Sequence, residues 1–218
     1  MNYEEFYAES VDEISMDLLL AKGFRHFGIH FYRYMFGFYE EGVVQVLPLR
    51  IDTAKFKLSH SQKKISKKNS DLQYVFRETV ITEEKERLFT IHAERFKRDK
   101  PSSLYTFLSD SPSNKPCTSI ECSVYLEDKL LAVSFLDIAK NSTSSIYAMF
   151  DPEFSKRSLG IYTMLLEIDF TKASGKRFYY PGYAYHEPSF YDYKKNFFGM
   201  EYLDWEEEKW LPFTKNST

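Results

Sequence analysis

The sequence predicts an α+β fold, and three observations support that class. Extended runs occur in adjacent pairs joined by turn residues, which marks antiparallel hairpins. Few segments carry helical spacing, and the clearest, from about Ser158 to Ala173, is set between two extended runs. At 218 residues the chain can bury a sizeable core, as one large domain or two small ones.

Taken in order, Ser10 to Ala21 reads as a short helix, with Ser10 and Glu13 at capping-box spacing and Ile14 and Leu18 one turn apart. Phe27 to Tyr39 and Val43 to Ile51 read as two long strands turning around Glu40-Glu41-Gly42, where the glycine can take a positive φ. These elements form a small amino-terminal subdomain. Lys55 to Lys68 carries six lysines and no acid. Asp71 to Thr79 is strand-like, and Thr82 caps a helix running to about Lys97. Pro101 begins a shorter helix through Leu108, and Ser109 to Pro116 is a loop.

Ile120 to Leu126 and Leu130 to Ile138 form the clearest hairpin, turning at Glu127-Asp128. Asn141 to Ser144 is a turn, and Ser145 to Phe150 is a strand that Asp151-Pro152 ends, since proline restricts its predecessor and donates no hydrogen bond. The helix that follows is periodic in Ile161, Met164, Leu165 and Ile168 and stops at Gly175. Phe178 to Tyr180 is extended again. Tyr191 to Phe197 is a short helix, and two extended stretches around Tyr202 to Trp205 and Trp210 to Phe213 close the chain.

Composition excludes several classes. The aromatic share is 18%, which suits stacking on bases as well as core filling, and the net charge of -3 does not favour nucleic acid at the level of the whole chain. Two cysteines, Cys117 and Cys122, argue against a disulfide framework or a four-cysteine metal site and for a reducing compartment. No run approaches the ~18 apolar residues of a membrane span, and the amino terminus is acidic where a secretory peptide is basic. The expected location is the cytoplasm, with no membrane partner and no DNA.

Local charge is more informative. The lysine run from 55 to 68 would repel itself unless solvated or neutralised, and a phosphate backbone is the usual counter-charge. Lys63, Lys64, Lys67 and Lys68, with Arg50 upstream, are therefore candidate RNA contacts, the alternative being a solvated face. Arg157-Ser158-Leu159-Gly160 opens the main helix, where free backbone amides favour an anion. That makes Arg157, Ser158 and Gly160 candidates for a phosphate site.

The order of the carboxyl half resembles the N-acetyltransferase-like (GNAT-like) acyltransferase fold, whose donor-phosphate loop has the form [Q/R]-x-x-G-x-[G/A]. Arg157 to Gly160 matches its first half, and Tyr162 replaces the final small residue. Four segments carry a closer resemblance: GFRHFGIHFYRY from Gly23, LPLRIDTAKFKLSHSQKKISKKN from Leu47, SSIYAMFDPEFSKRSLGIYTMLLEI from Ser144 and FYYPGYAYHEPSFYDYKKNF from Phe178. Together they resemble the aminoacyl-tRNA-protein transferases, the arginyl and leucyl transferases of the N-degron pathway. Many members carry a cysteine cluster near the first hairpin, whereas this chain has Met35, Phe36, Gly37 and Phe38 there, so it is similar to a shorter, cysteine-free bacterial branch and no metal is expected.

The resemblance implies transfer of an amino acid from aminoacyl-tRNA, as co-substrate and without a further cofactor, to the α-amine of a protein beginning with an acidic residue. On that basis residues 1-78 form an amino-terminal, RNA-contacting subdomain and 79-218 the transfer domain. Asp151 and Glu153 are expected near the amines, with helix or turn capping as the alternative for Asp151. Tyr183 and Tyr185 are candidates for stacking on the terminal adenine or for donating a proton, and equally for core packing. Arg25, Arg33, Lys194 and Lys195 are candidates for meeting the acceptor's acidic side chain. A guanidinium cargo needs a carboxylate or an aromatic face and a leucyl cargo a dry pocket; the Asp, Glu and Tyr content near 151 to 193 leans toward arginyl. A coenzyme A-dependent N-acyltransferase and a non-catalytic tRNA-binding module are the other readings.

Overall fold

The structure is a computed structural model that describes residues 3-40, 42-96 and 100-214. A three-stranded antiparallel sheet is made by β1 (Tyr3–Tyr7), β3 (His30–Tyr34) and β2 (Arg25–Phe27), in that spatial order. Helix α1 (Glu13–Ala21) lies between β1 and β2 in the chain. Its N-cap is Asp12, whose carboxylate accepts from the amides of Ile14 and Ser15, so the helix starts later than the Ser10 spacing predicts. The long strand expected over Phe27 to Tyr39 is divided into three, the last being β4 (Phe36–Tyr39), which forms the expected hairpin with β5 (Gly42–Asp52). Gly28, at φ +52°, supplies the reversal between β2 and β3.

The main sheet holds nine of the described strands. Seven of the eight in its path are β11 (Met200–Asp204), β5, β10 (Phe178–Tyr185), β9 (Ser142–Phe150), β8 (Lys129–Ile138), β7 (Ser119–Leu126) and β6 (Gln73–Glu78), in that order. β12 (Lys209–Pro212) extends the β11 edge, and β4 pairs with β5 off that path. The β7-β8 hairpin forms as expected, with Glu127 in the left-handed region at φ 52°. Strand β5 comes from the first 78 residues and is inserted between β10 and β11, so both parts of the chain build one sheet.

Helices cover both faces. α3 (Glu83–Ala93), capped by Thr82, places Leu88 and Phe89 against Val133, Phe135 and Met149. It ends at Ala93, and the expected continuation to Lys97 runs into residues outside those described. The segment after Pro101 is reduced to a 3-10 turn, Leu104–Thr106. On the opposite face, α4 (Leu159–Ala173) packs Leu165 and Ile168 on Leu136 and Tyr179. The Lys55 to Lys68 run contains α2 (His60–Lys68), which a Ser59–Gln62 capping box starts and which rests on α4's face through Ile65. No described helix is long and apolar enough to cross a membrane.

Candidate active site at the fork between two parallel strands

Among the described strands β9 and β10 are the one parallel pair in the main sheet, and they pair only briefly: Phe178, Tyr179 and Tyr180 lie opposite Ser142, Thr143 and Ser144. Beyond that point β9 stays with β8 while β10 follows β5. The local cause is in the sequence. Pro181 has no amide hydrogen for a ladder, and Gly182 takes φ +94° at a register shift in β10. The strands therefore part into a fork, and Ser145, Ile146, Tyr147 and Ala148 are half-exposed although they sit on a central strand.

Parting strands leave backbone carbonyls without sheet partners, and two cations take them. Arg25 donates to Ser144 Oγ at 2.6 Å, to Tyr180 O at 3.4 Å and to Ser145 O, spanning the apex from one strand to the other. Lys194, from a 3-10 segment over Phe190–Asn196, donates to Tyr183 O at 3.1 Å. A Cβ built on Gly182 would stand 3.4 Å from Lys194 Nζ and 3.9 Å from Arg25 Nη2, so both cations converge on the space this glycine leaves open. Neither forms an ion pair with a described carboxylate. Burial, reinforced by Arg25, pushes the Lys194 amine down to about 7.

Glu167 of α4 lies beneath the apex. Tyr179 donates to its Oε2 at 2.5 Å, while Oε1 is buried with no hydrogen-bond partner, as is the hydroxyl of Ser134 on β8. Aromatic groups wall the opening. On the β10 side the Tyr183 ring meets Tyr32 and Tyr34 edge-on, and Tyr185 lies 5.2 Å from Tyr39 and 5.4 Å from Tyr191. On the β9 side Tyr147 stacks on Phe107 at 3.9 Å, and Phe107 in turn meets Phe27. Helix α2 stands on the same face as α4, with Gln62 Nε2 donating to Asn196 O at 3.4 Å beside the Lys194 segment. Lys63, Lys64, Lys67 and Lys68 are exposed on it.

The fork thus gathers Arg25, Lys194, Tyr183 and Tyr185 from the predicted set, with the four lysines nearby. Tyr183 donates to Gly23 O at 2.7 Å and to Tyr32 O at 3.3 Å, and burial pushes its phenol far up, which fits a wall of the opening. Tyr185 is pushed up to about 12, chiefly by burial. The other candidates are held elsewhere. Asp151 accepts from the amide of Glu153 and pairs with Lys129 at 2.9 Å, six residues past Ser145 and so about 20 Å along the strand. Glu153 is exposed there, with Lys129 at 3.8 Å.

Arg157 makes two 2.9 Å bonds to Asp71. Ser158 sits in the left-handed region at φ 56° with no side-chain cap bond, and a Cβ at Gly160 would make only an ordinary 3.5 Å contact with Phe150. Arg50 pairs with Glu201 at 2.8 Å and stacks on Phe178 and Trp210, a structural clamp where an RNA contact was expected. Arg33 is tied to Glu4 at 2.6 Å and to Lys22 O, and Lys195 to Asp192 at 2.9 Å. Sequence reasoning missed Glu167, Tyr179 and Ser134. The available signal was a carboxylate inside the LLEI run of an otherwise apolar helix.

Among the described residues one group has the composition of a metal site: His26, Cys117 and Asp137, all buried, with ligand atoms within 4.8 Å of one another. Their hydrogen bonds are complete without an ion. His26 bonds Gly28 O at 2.8 Å and Asp137 at 2.9 Å, and Cys117 donates to Asp137 at 3.4 Å.

The family described as "Arginine-tRNA-protein transferase, C terminus" matches residues 84-204. The chain is 30% identical to an aspartate/glutamate leucyltransferase of Saccharophagus degradans, over 94% of this chain and 85% of that one. It is 29% identical to one of Leptospira interrogans, over 87% and 74%. The structure of FemX aligns with a TM-score of 0.48 at 11% identity, covering 81% of this chain and 61% of that one. The chain belongs to the aminoacyl-tRNA-protein transferases, a family of peptide-bond-forming enzymes.

Proposed function

We propose that this protein moves leucine from leucyl-tRNA to the N-terminal α-amine of proteins that begin with aspartate or glutamate, marking them for degradation in the cytoplasm. The observation that carries the reading is the convergence of Arg25 and Lys194 on Gly182, neither of them in an ion pair with a described carboxylate. Burying charge without a partner is costly, so such a pair is best explained by a carboxylate that arrives with the substrate. An acidic first residue brings one, a few bonds from the amine that reacts.

The donor ester is already activated, and a free α-amine has a pKa near ~8. Catalysis then consists mainly of holding amine and carbonyl together, worth up to ~7-11 kcal/mol when the geometry is right. Lys63, Lys64, Lys67 and Lys68 would hold tRNA phosphates, and the tyrosines around Tyr185 and Tyr191 offer stacking faces for the terminal bases. In this division of labour the first 78 residues bring the lysine contacts to tRNA and also Arg25, and 79-218 bring the rest of the transfer site.

The sequence leaned to arginyl; two things favour leucyl. Curated relatives are named aspartate/glutamate leucyltransferases. The walls beside the fork are Ile146, Phe107, Phe27 and tyrosines, and the one carboxylate at the apex, Glu167, is buried under the sheet, which suits an apolar side chain better than a guanidinium. The test incubates the protein with charged leucyl-tRNA or arginyl-tRNA and peptides starting with Asp, Glu, Lys or Ala, with products read by mass. Leucyl-Asp and leucyl-Glu products are expected. Turnover with acetyl coenzyme A alone, or tRNA binding with no product, overturns the reading.

A further inference from the structure

We propose that Glu167 is the proton carrier of the transfer, taking a proton shed by the attacking amine and returning it to the departing ribose oxygen. The proposal rests on the aminoacyl-transfer reading above and goes beyond it by assigning the proton path. Glu167 is a carboxylate at the apex of the fork, and its Oε1 has no hydrogen-bond partner within bonding geometry although the residue is fully buried. Its other oxygen is fixed by Tyr179, the second residue of the short paired stretch. The half-exposed Ser145 follows the last paired residue of β9, and its hydroxyl is near enough to the carboxylate to help hold its pKa down.

A buried oxygen left unbonded costs free energy, and a helix face of Leu165, Leu166 and Ile168 has no packing need for an acid. Burial pushes the carboxyl up to about 7, with Tyr179, Ser134, Ser145 and Arg25 opposing it. A group poised near neutral pH both takes and gives a proton readily. The other ionisable groups that face it are Tyr193 from the 3-10 segment and Cys122 from β7.

The step balances without another reactant. The amine nitrogen bonds to the ester carbonyl carbon, and one nitrogen proton passes through the Ser145 hydroxyl to Glu167. As the tetrahedral centre collapses, the carbon-to-ribose-oxygen bond breaks and the proton goes to that oxygen, so the carboxylate ends as it began.

The test uses the full chain with leucyl-tRNA and an Asp-initiated peptide in single turnovers. Glu167→Gln keeps the shape and a partner for Tyr179; its rate is expected to fall by ~100-fold or more. Peptide affinity, tRNA binding and the thermal midpoint should stay close to wild type, and Glu167→Asp should recover part of the rate. A Gln variant within threefold of wild type, with the same pH profile, overturns the proposal. Tyr179→Phe gives a second, fold-independent readout: Tyr179 holds the carboxyl's pKa down, so its loss should move the limb of the wild-type rate profile near pH 7 to higher pH. A limb that does not move overturns the proposal, whereas wild-type protein that transfers from no tRNA overturns the function reading itself.

Discussion

Two buried clusters of charge in this protein look alike in composition and differ in balance. Where α3 meets β7, Glu121 is fully buried and answered twice, by Lys85 at 2.5 Å and Arg77 at 2.8 Å. At the fork between β9 and β10, Arg25 and Lys194 meet carbonyls and one another's field, and neither is in an ion pair with a described carboxylate. The first cluster pins a helix to a sheet and needs nothing further. The second is incomplete in the way a site is before its ligand arrives, since desolvated charge is tolerated cheaply only when it is paired.

The largest expected effect tests the complete cluster. Glu121→Ala strands Lys85, which is 1% exposed, and should cost about 3-5 kcal/mol in urea unfolding, while transfer per folded molecule is unchanged. If instead activity is lost from protein that is still folded, the division between the clusters is wrong. At the fork the pattern reverses. Lys194→Met should lower kcat/KM for Asp-initiated peptides by about 1.5-3 kcal/mol, roughly 10- to 150-fold, without lowering stability near neutral pH. An equal loss with every acceptor would remove Lys194 from acceptor recognition.

The same lysine gives a sign-defined pH effect. Its folded pKa, about 7, is below its unfolded value, so between those two pH values the unfolded chain binds the extra proton. Its contribution to stability is thus unfavourable below pH 7 and is relieved as pH rises. Thermal midpoints from pH 7 to 9 should climb more in wild type than in Lys194→Met, and identical slopes would contradict the burial of that charge. Changing Lys63, Lys64, Lys67 and Lys68 to Gln should weaken tRNA binding and flatten the plot of log affinity against log salt by ~3. An unchanged slope would place the tRNA on another surface. The smallest effect is expected for Arg157→Gln: its guanidinium is spent on Asp71, so stability should drop by about 1 kcal/mol or less and transfer stay near wild type.

Signals that act over a few residues were legible without the fold. Thr82 and the Ser59–Gln62 spacing start helices, Gly175 at φ +70° stops one, and Glu127-Asp128 turns the β7-β8 hairpin, because caps, turns and side-chain period depend only on near neighbours. The sequence also marked Arg25, Lys194 and the lysine helix as chemistry worth placing. Which cations are free was decided by contacts far apart in the chain. Arg157 and Asp71 are 86 residues apart, and Arg25 and Ser144 are 119. Packing chooses those pairs, and with them it chose which charges are satisfied within the fold and which stand at the fork.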